Sequence, residues 1–199
     1  MPVKRLTIAK TRLQLYGDAA RQDLALAFAV DVVAAGLACE AIDEVLVVTD
    51  DERASTALRA AGARVVADSP DAGLNPALEH GADLLRADGV RGVATVSADL
   101  PALTPADLVT ALAAVRPGLR GFVPDAAGTG TTLLAAPEGV LLAPAYGAAS
   151  RTGHLESGAL ELPAGPRLRL DVDTPADLEQ ALALGVGTAT AAVVASLRR

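Results

Sequence analysis

Short apolar runs rich in β-branched residues recur along this chain, and longer Ala/Leu stretches separate them. That alternation constrains the fold more than any other feature. The runs predict strands over 44–49, 64–67, 93–97, 121–124, 131–136 and 168–172. The stretches between predict helices over 21–35, 51–60, 75–86, 105–115 and 175–184. Asp51 and Thr104 stand where helix caps belong, and Pro105 and Pro175 suit first helical turns. Strands alternating with helices predict an α/β fold, a mostly parallel central sheet covered by helices on both faces. The 199 residues suit one domain, 1–199, with a sizeable core. Sheets of this kind bind ligands at the carboxyl ends of their strands, so residues just after a strand carry the functional weight.

Charge and cysteine content remove several classes. The formal net charge is -7, which repels nucleic-acid phosphates and argues for no nucleic-acid partner. Cys39 is the only cysteine, so no intrachain disulfide and no cysteine-based metal site is expected. His80 and His154 are too far apart in sequence to add a zinc site. The apolar stretch 24–37 is too short to span a bilayer and contains Asp31. The opening carries Lys4, Arg5, Lys10 and Arg12 without the apolar region of a signal peptide, which reads as a cytoplasmic enzyme without a membrane partner. The Ala/Val-rich end, from Gly185, predicts a short last helix and a frayed tail at Arg198 and Arg199.

Five segments can carry chemistry. In Val93-Ala94-Thr95-Val96-Ser97-Ala98-Asp99-Leu100-Pro101 an apolar strand delivers Asp99 to its carboxyl tip, where an oxygen ligand can hold Mg²⁺ together with substrate phosphates. The run Leu170-Asp171-Val172-Asp173-Thr174-Pro175 does the same with two carboxylates. Residues one apart on a strand face opposite ways, so one of Asp171 and Asp173 would share a metal with Asp99 and the other would cap a helix or pair with an arginine. The cations of the first thirteen residues can neutralise a triphosphate and its leaving pyrophosphate. No Walker-type glycine pattern is present there. Gly73 allows close backbone approach, and Asn75 either caps the next helix or meets a base edge. Gly128-Thr129-Gly130-Thr131-Thr132, followed by Gly147-Ala148-Ala149-Ser150, offers hydroxyls and glycine amides for a phosphate or carboxylate.

Taken in order, these segments resemble the guanylyltransferases of coenzyme F-420 biosynthesis, which act on 2-phospho-L-lactate or phosphoenolpyruvate. The resemblance rests on Pro2-Val3-Lys4, Ala9-Lys10-Thr11-Arg12-Leu13, Val47-Val48-Thr49-Asp50-Asp51, Gly73-Leu74-Asn75, Ala98-Asp99-Leu100-Pro101, Gly130-Thr131-Thr132-Leu133-Leu134, Gly147-x-x-Ser150 and Asp171-Val172-Asp173-Thr174. It implies a Rossmann-like, GT-A-like nucleotidyltransferase fold, with GTP as donor and Mg²⁺ as cofactor. It also implies a downstream transferase of the deazaflavin pathway that takes the product. Asp99 with Asp171 or Asp173 would hold the metal. Lys4, Lys10 and Arg12 would face the triphosphate, and Gly73 and Asn75 the guanine. Thr132, Gly147 and Ser150 would bind the acceptor. The family usually has a full apolar strand before Pro-Val-Lys, whereas this sequence begins at Met1-Pro2, so a late start or a trimmed strand and a weaker core are expected there.

Two enzyme classes of related fold are alternatives. A molybdenum-cofactor nucleotidyltransferase would need a glycine-rich opening, and residues 1–13 contain no glycine. A nucleotide-sugar glycosyltransferase would carry its Asp-x-Asp after a middle strand, and here Asp171-Val172-Asp173 lies near the end of the sequence. A non-enzymatic nucleotide-binding module is a third reading, against which the strand-end carboxylates speak.

Overall fold

The structure is a computed structural model that describes residues 1–69 and 71–198, apart from the side chains of Gln14 and Leu15; Arg199 lies outside the described residues. A 3-10 turn (Thr11–Tyr16) leads into α1 (Asp18–Leu37). Then follow β1 (Leu46–Val48), α2 (Glu52–Ala60), β2 (Arg64–Val66), α3 (Leu74–Ala87), β3 (Val93–Val96) and α4 (Pro105–Ala113). The second half holds β4 (Gly121–Pro124), β5 (Thr131–Ala136), α5 (Ser150–Glu156), β6 (Leu160–Glu161), α6 (Pro166–Arg169), α7 (Pro175–Leu184) and α8 (Thr188–Leu197).

The strands form two sheets. β1 and β2 run parallel, and Pro2 adds an isolated parallel bridge to Val48. The second sheet has the order β3-β5-β4-β6 and is mixed: β5 is antiparallel to β3 and β4, while β4 and β6 are parallel. The loop 125–130 joining β4 to β5 is too short for a crossover helix, so this pair has to be a hairpin. The register shifts between Val123 and Pro124, where proline has no N–H to give the ladder.

β5 shows why the sheet lies between two helical layers. All six of its residues are buried. Leu133 and Ala135 point into one core with Val47, Val123 and Leu108, below α1 and α4. Leu134 and Ala136 point the other way, to Phe122, Leu78 and Ala82 beside α3. The two-residue period of a strand thus fills both faces. Trimming Leu133 or Leu134 to Ala is expected to cost roughly 2–5 kcal/mol. A cavity of about 530 Å³ lies between the two sheets, lined by Met1, Leu46, Leu78, Val93, Val96 and Leu133 among others. Its lining is mostly apolar, with Asp43, Glu44, Thr95 and Glu138 among the exceptions, and Ser97 and Asp99 are not among its lining residues.

Helix caps set the edges of the site. Thr104-Pro105-Ala106-Asp107 and Thr174-Pro175-Ala176-Asp177 are the same tetrapeptide, and each closes a full capping box with proline in the first turn. Asp31, buried on α1, accepts the N–H groups of Ala189 at 3.0 Å and Thr190 at 2.9 Å, so its charge sits at the start of α8. The strand expected over 168–172 does not form. Pro166 starts the single turn of α6, which ends at Arg169, and Leu170–Asp173 continues as irregular chain tied by Val172 N–H to the Asp99 carbonyl at 2.9 Å. The face alternation expected of Asp171 and Asp173 therefore has no strand to rest on.

Candidate active site

Three segments converge beyond the ends of β3 and α6. The Ser97 N–H bonds to the Thr132 carbonyl at 2.8 Å, which prolongs the β3–β5 ladder by a rung and carries the chain on to Asp99. Asp173 is aimed from the other side, because its N–H and that of Thr174 both donate to Asp177 Oδ2, at 3.2 and 2.8 Å. Between them stands Lys10. Its Nζ donates to Asp173 Oδ1 at 2.6 Å and also to Asp99 Oδ2. Arg12 adds a looser contact to Asp173 at 3.7 Å. Residues 89 and 163 positions from Lys10 thus meet at one ammonium group.

Electrostatics follow from this packing. Burial disfavours the charge on Lys10, yet Asp99 and Asp173 outweigh it and hold its pKa above the ordinary lysine value. Asp171 is pushed up to about 6, first by burial and then by the charge of Asp99, with a smaller push from Asp173. Asp99 Oδ1 is buried and has no hydrogen-bond partner among the described residues. An ionised carboxylate rarely leaves a buried oxygen unused. The vacant lone pairs fit a hard cation that takes oxygen ligands, and Mg²⁺ commonly uses only one or two carboxylates together with phosphates and water. Asp99 and Asp173 suit that role. The one trio of such groups among the described residues whose ligand atoms all lie within 4.8 Å of one another is elsewhere, at Asp50, Asp68 and Asp71, and it is largely exposed.

The other sequence-derived candidates sit in different surroundings. Lys4 is exposed just beyond the Pro2 bridge. Gly73 is exposed at the start of α3 with a φ of 104°, a backbone setting that favours glycine, and a Cβ there would meet nothing within 4 Å. Asn75 has both ends of its amide engaged: Nδ2 donates to the Tyr146 carbonyl at 3.0 Å and Oδ1 accepts the Tyr146 N–H at 2.9 Å. It braces the loop before α5 rather than pointing into open space. Gly147 is exposed on that same loop. Thr132 is buried and donates to the Leu168 carbonyl at 2.6 Å. Ser150 is buried and donates to Thr131 Oγ1 at 3.1 Å, which in turn lies 2.9 Å from His154 Nδ1.

Four further contributors were not among the candidate site residues, although the cap at Asp51 was expected. His154 is fully buried; its Nε2 accepts the Ala145 N–H at 3.0 Å, which leaves the ring proton on Nδ1 for Thr131. Tyr146 meets Thr95 through its hydroxyl at 2.6 Å. Asp51 caps α2 and also accepts the Leu6 N–H at 2.8 Å. Arg21 is buried on α1 under residues 6–9. A signal for Arg21 does exist in the sequence: a cation in the first turns of a helix opposes the helix dipole, so it needs partners elsewhere.

Solved structures share this architecture. A putative nucleotide-diphospho-sugar transferase from Desulfovibrio desulfuricans G20 superposes with a TM-score of 0.67 at 20% identity, covering 89% of this chain and 82% of that one. A nucleotidyl transferase from Methanothermobacter thermautotroptrophicus gives 0.58 at 24% identity, covering 78% and 80%. The fold is therefore that of the nucleotidyltransferases, Rossmann-like with helices on both faces. Within that class the chain belongs to the guanylyl transferase CofC-like family, whose pattern matches residues 1–198. Its relatives include the phosphoenolpyruvate guanylyltransferases of Streptomyces coelicolor, 56% identical over 201 residues, and of Thermomonospora curvata, 55% identical over 200. Each alignment spans 99% of this chain, and 95% and 88% of those proteins respectively. The chain is thus a nucleotidyltransferase enzyme of the guanylyltransferase kind.

Proposed function

We propose that this enzyme transfers GMP from GTP to phosphoenolpyruvate, releasing pyrophosphate, as a step of coenzyme F-420 biosynthesis in the cytoplasm. The observation that carries the proposal is Lys10 held between Asp99 and Asp173, with Asp99 Oδ1 still unpartnered. The name carried by the relatives supports phosphoenolpyruvate over 2-phospho-L-lactate.

In this reaction a phosphate oxygen of the acceptor attacks the α-phosphorus of GTP. The new P–O bond forms as the bond to the β-phosphate bridging oxygen breaks, and that oxygen leaves with pyrophosphate. The attacking oxygen is already anionic, so no strong base is needed, and the work is charge neutralisation and in-line placement. Asp99 and Asp173 would hold Mg²⁺, which supplies Lewis-acid stabilisation at the phosphates when bound. Lys10 and Arg12 neutralise charge developing on the leaving pyrophosphate, with Lys4 further out along the triphosphate. The exposed glycines, Gly73 and Gly147, mark the two ends where base and acceptor can approach the backbone. Thr132 and Ser150 shape the acceptor side from behind, since both hydroxyls are spent on protein partners. The product, a guanylylated acid with a diphosphate link, is activated for a transferase acting next.

The test is direct. Purified protein is incubated with Mg²⁺, each nucleoside triphosphate in turn, and phosphoenolpyruvate, 2-phospho-L-lactate or 3-phosphoglycerate, and released pyrophosphate is assayed. GTP with phosphoenolpyruvate is expected to give the highest kcat/KM. A clear preference for another triphosphate, or no release with any pair, overturns the reading.

A further inference from the structure

Lys10 sits in a backbone conformation that lysine seldom adopts, with φ at 53°. A residue keeps such a setting only where its surroundings over-determine it. The surroundings here are specific. The Arg21 guanidinium lies under the preceding loop and donates to three of its carbonyls: Leu6 at 3.1 Å, Thr7 at 2.9 Å, and Ala9. Asp18, one turn earlier on α1, accepts from the same guanidinium at 3.3 Å. From the opposite side Asp51 accepts the Leu6 N–H. Arg21 is only 4% exposed, so this cation is committed to backbone oxygens rather than to solvent. Immediately after the braced loop, the Lys10 carbonyl accepts the Leu13 N–H at 2.9 Å, starting the 3-10 turn that carries Arg12.

We propose that Arg21 is the positioning residue of the reaction: by holding the carbonyls of Leu6, Thr7 and Ala9 it fixes Lys10 at the point where Asp99 and Asp173 meet. It touches no reacting group itself. The planar fork of a guanidinium spreads five N–H donors over a fixed geometry that spans carbonyls well apart, whereas an ammonium gathers three donors at a single point on a flexible stem. Loss of that grip lets the loop relax and carries Lys10 Nζ away from the carboxylates. Displacements of about 1 Å suffice to lower turnover by two orders of magnitude. The kinetic part rests on the functional reading above; the positional part does not.

Two measurements test this. In the first, the Lys10 ammonium is followed by ¹⁵N NMR in the substrate-free protein. It is expected as a protected resonance in the wild type, assigned by its loss in K10A, and as lost or averaged in a folded R21K. In the second, kcat and KM are measured in a cycle of R21K and K10A. R21K is expected to lower kcat roughly 10- to 100-fold with the KM for GTP within about twofold, and to have no further effect once Lys10 is gone. An unchanged Lys10 resonance in R21K, or rate losses that multiply in the double variant, overturns the proposal. Should R21K not fold, D18N takes its place. It removes only the exposed outer anchor of the guanidinium, so the same pattern is expected at roughly twofold to fivefold. The NMR arm needs no substrate. Wild-type protein that releases no pyrophosphate but shows the protected Lys10 signal would sink the functional reading and leave the positioning intact.

Discussion

The two sides of the site are built from opposite materials. On one side Lys10, Asp99, Asp173 and Arg12 form an ionic cluster that is partly open to water and has an unused buried oxygen. On the other, Thr131, Ser150, His154, Asn75, Tyr146 and Thr95 form a neutral network in which each of these side chains has a protein partner. The ionic side leaves one buried carboxylate oxygen able to accept a further partner, which suits the proposed binding of a cation and phosphates. The neutral side is complete, as a wall that holds its shape should be. In the proposed reaction the ionic residues act on the phosphates and govern the rate. In the same proposal the neutral residues behind the loop govern where the acceptor sits.

The comparison breaks first at Asp99. D99N removes the charge while keeping the shape, and turnover is expected to fall by at least about 10³-fold, read as pyrophosphate release, with near-UV dichroism unchanged. Activity within tenfold of wild type would remove Asp99 from the machinery. K10M is expected to lose about 10²-fold in kcat for the same reason. It removes the cation between the two carboxylates and leaves only the looser Arg12 contact to Asp173, so Mn²⁺ used as a paramagnetic probe should bind the nucleotide-free variant more tightly than wild type. Weaker binding would mean that Lys10 organises the carboxylates rather than competing for them.

The neutral side has its own signature in acid. Burial, and then the charge of Arg120, push the His154 pKa down to about 4. The unfolded chain takes up that proton near 6.5, so between pH 6.5 and 4 the unfolded state binds more protons and stability falls as pH falls, by at most about 3 kcal/mol from this group. Asp171 acts with opposite sign. Its raised pKa gives stability that is present in acid and lost as pH rises through about 6. Denaturant titrations of wild type and H154N across this range separate the two. The variant, though less stable overall because the Ala145 N–H loses its partner, should lack the acid loss and keep the Asp171 contribution. Parallel curves for the two proteins would mean that His154 is not held neutral.

The sequence reading reached the ionic side better than the neutral one, for physical reasons. A carboxylate at the end of a β-branched run is visible because strand, turn and charge are local signals, and Asp99 stands where that pattern put it, just past β3. Helix positions were legible through their caps, at Asp51, Thr104 and Pro175. The last predicted strand was not, because the apolar alternation of 168–172 is overridden by Pro166, which nucleates α6. Nor did local pattern show the antiparallel partners of β5, since strand direction depends on loop length and pairing rather than on periodicity. A hydroxyl or amide offers still less. Nothing in the string Gly73-Leu74-Asn75 reveals that Asn75 closes on the backbone of a residue 71 positions away.

That clasp supplies the gentlest way to sharpen the comparison. Asn75 can be tied to the base by its place beside Gly73, or to the acceptor loop by its two bonds to Tyr146. The two roles separate kinetically. N75A breaks both bonds and frees the loop that carries Gly147 toward α5, so the KM for phosphoenolpyruvate should rise about tenfold, the equivalent of one to two ordinary hydrogen bonds, while the KM for GTP moves less than about twofold. The ratio of GTP to ATP use should then stay as in wild type. A base-reading Asn75 would give the reverse pattern, a raised KM for GTP and a flattened choice among triphosphates with the acceptor term unmoved. N75D sharpens the outcome: its carboxylate can still accept the Tyr146 N–H but faces the Tyr146 carbonyl without a donor, so it should resemble N75A in the acceptor KM even though one of the two bonds survives.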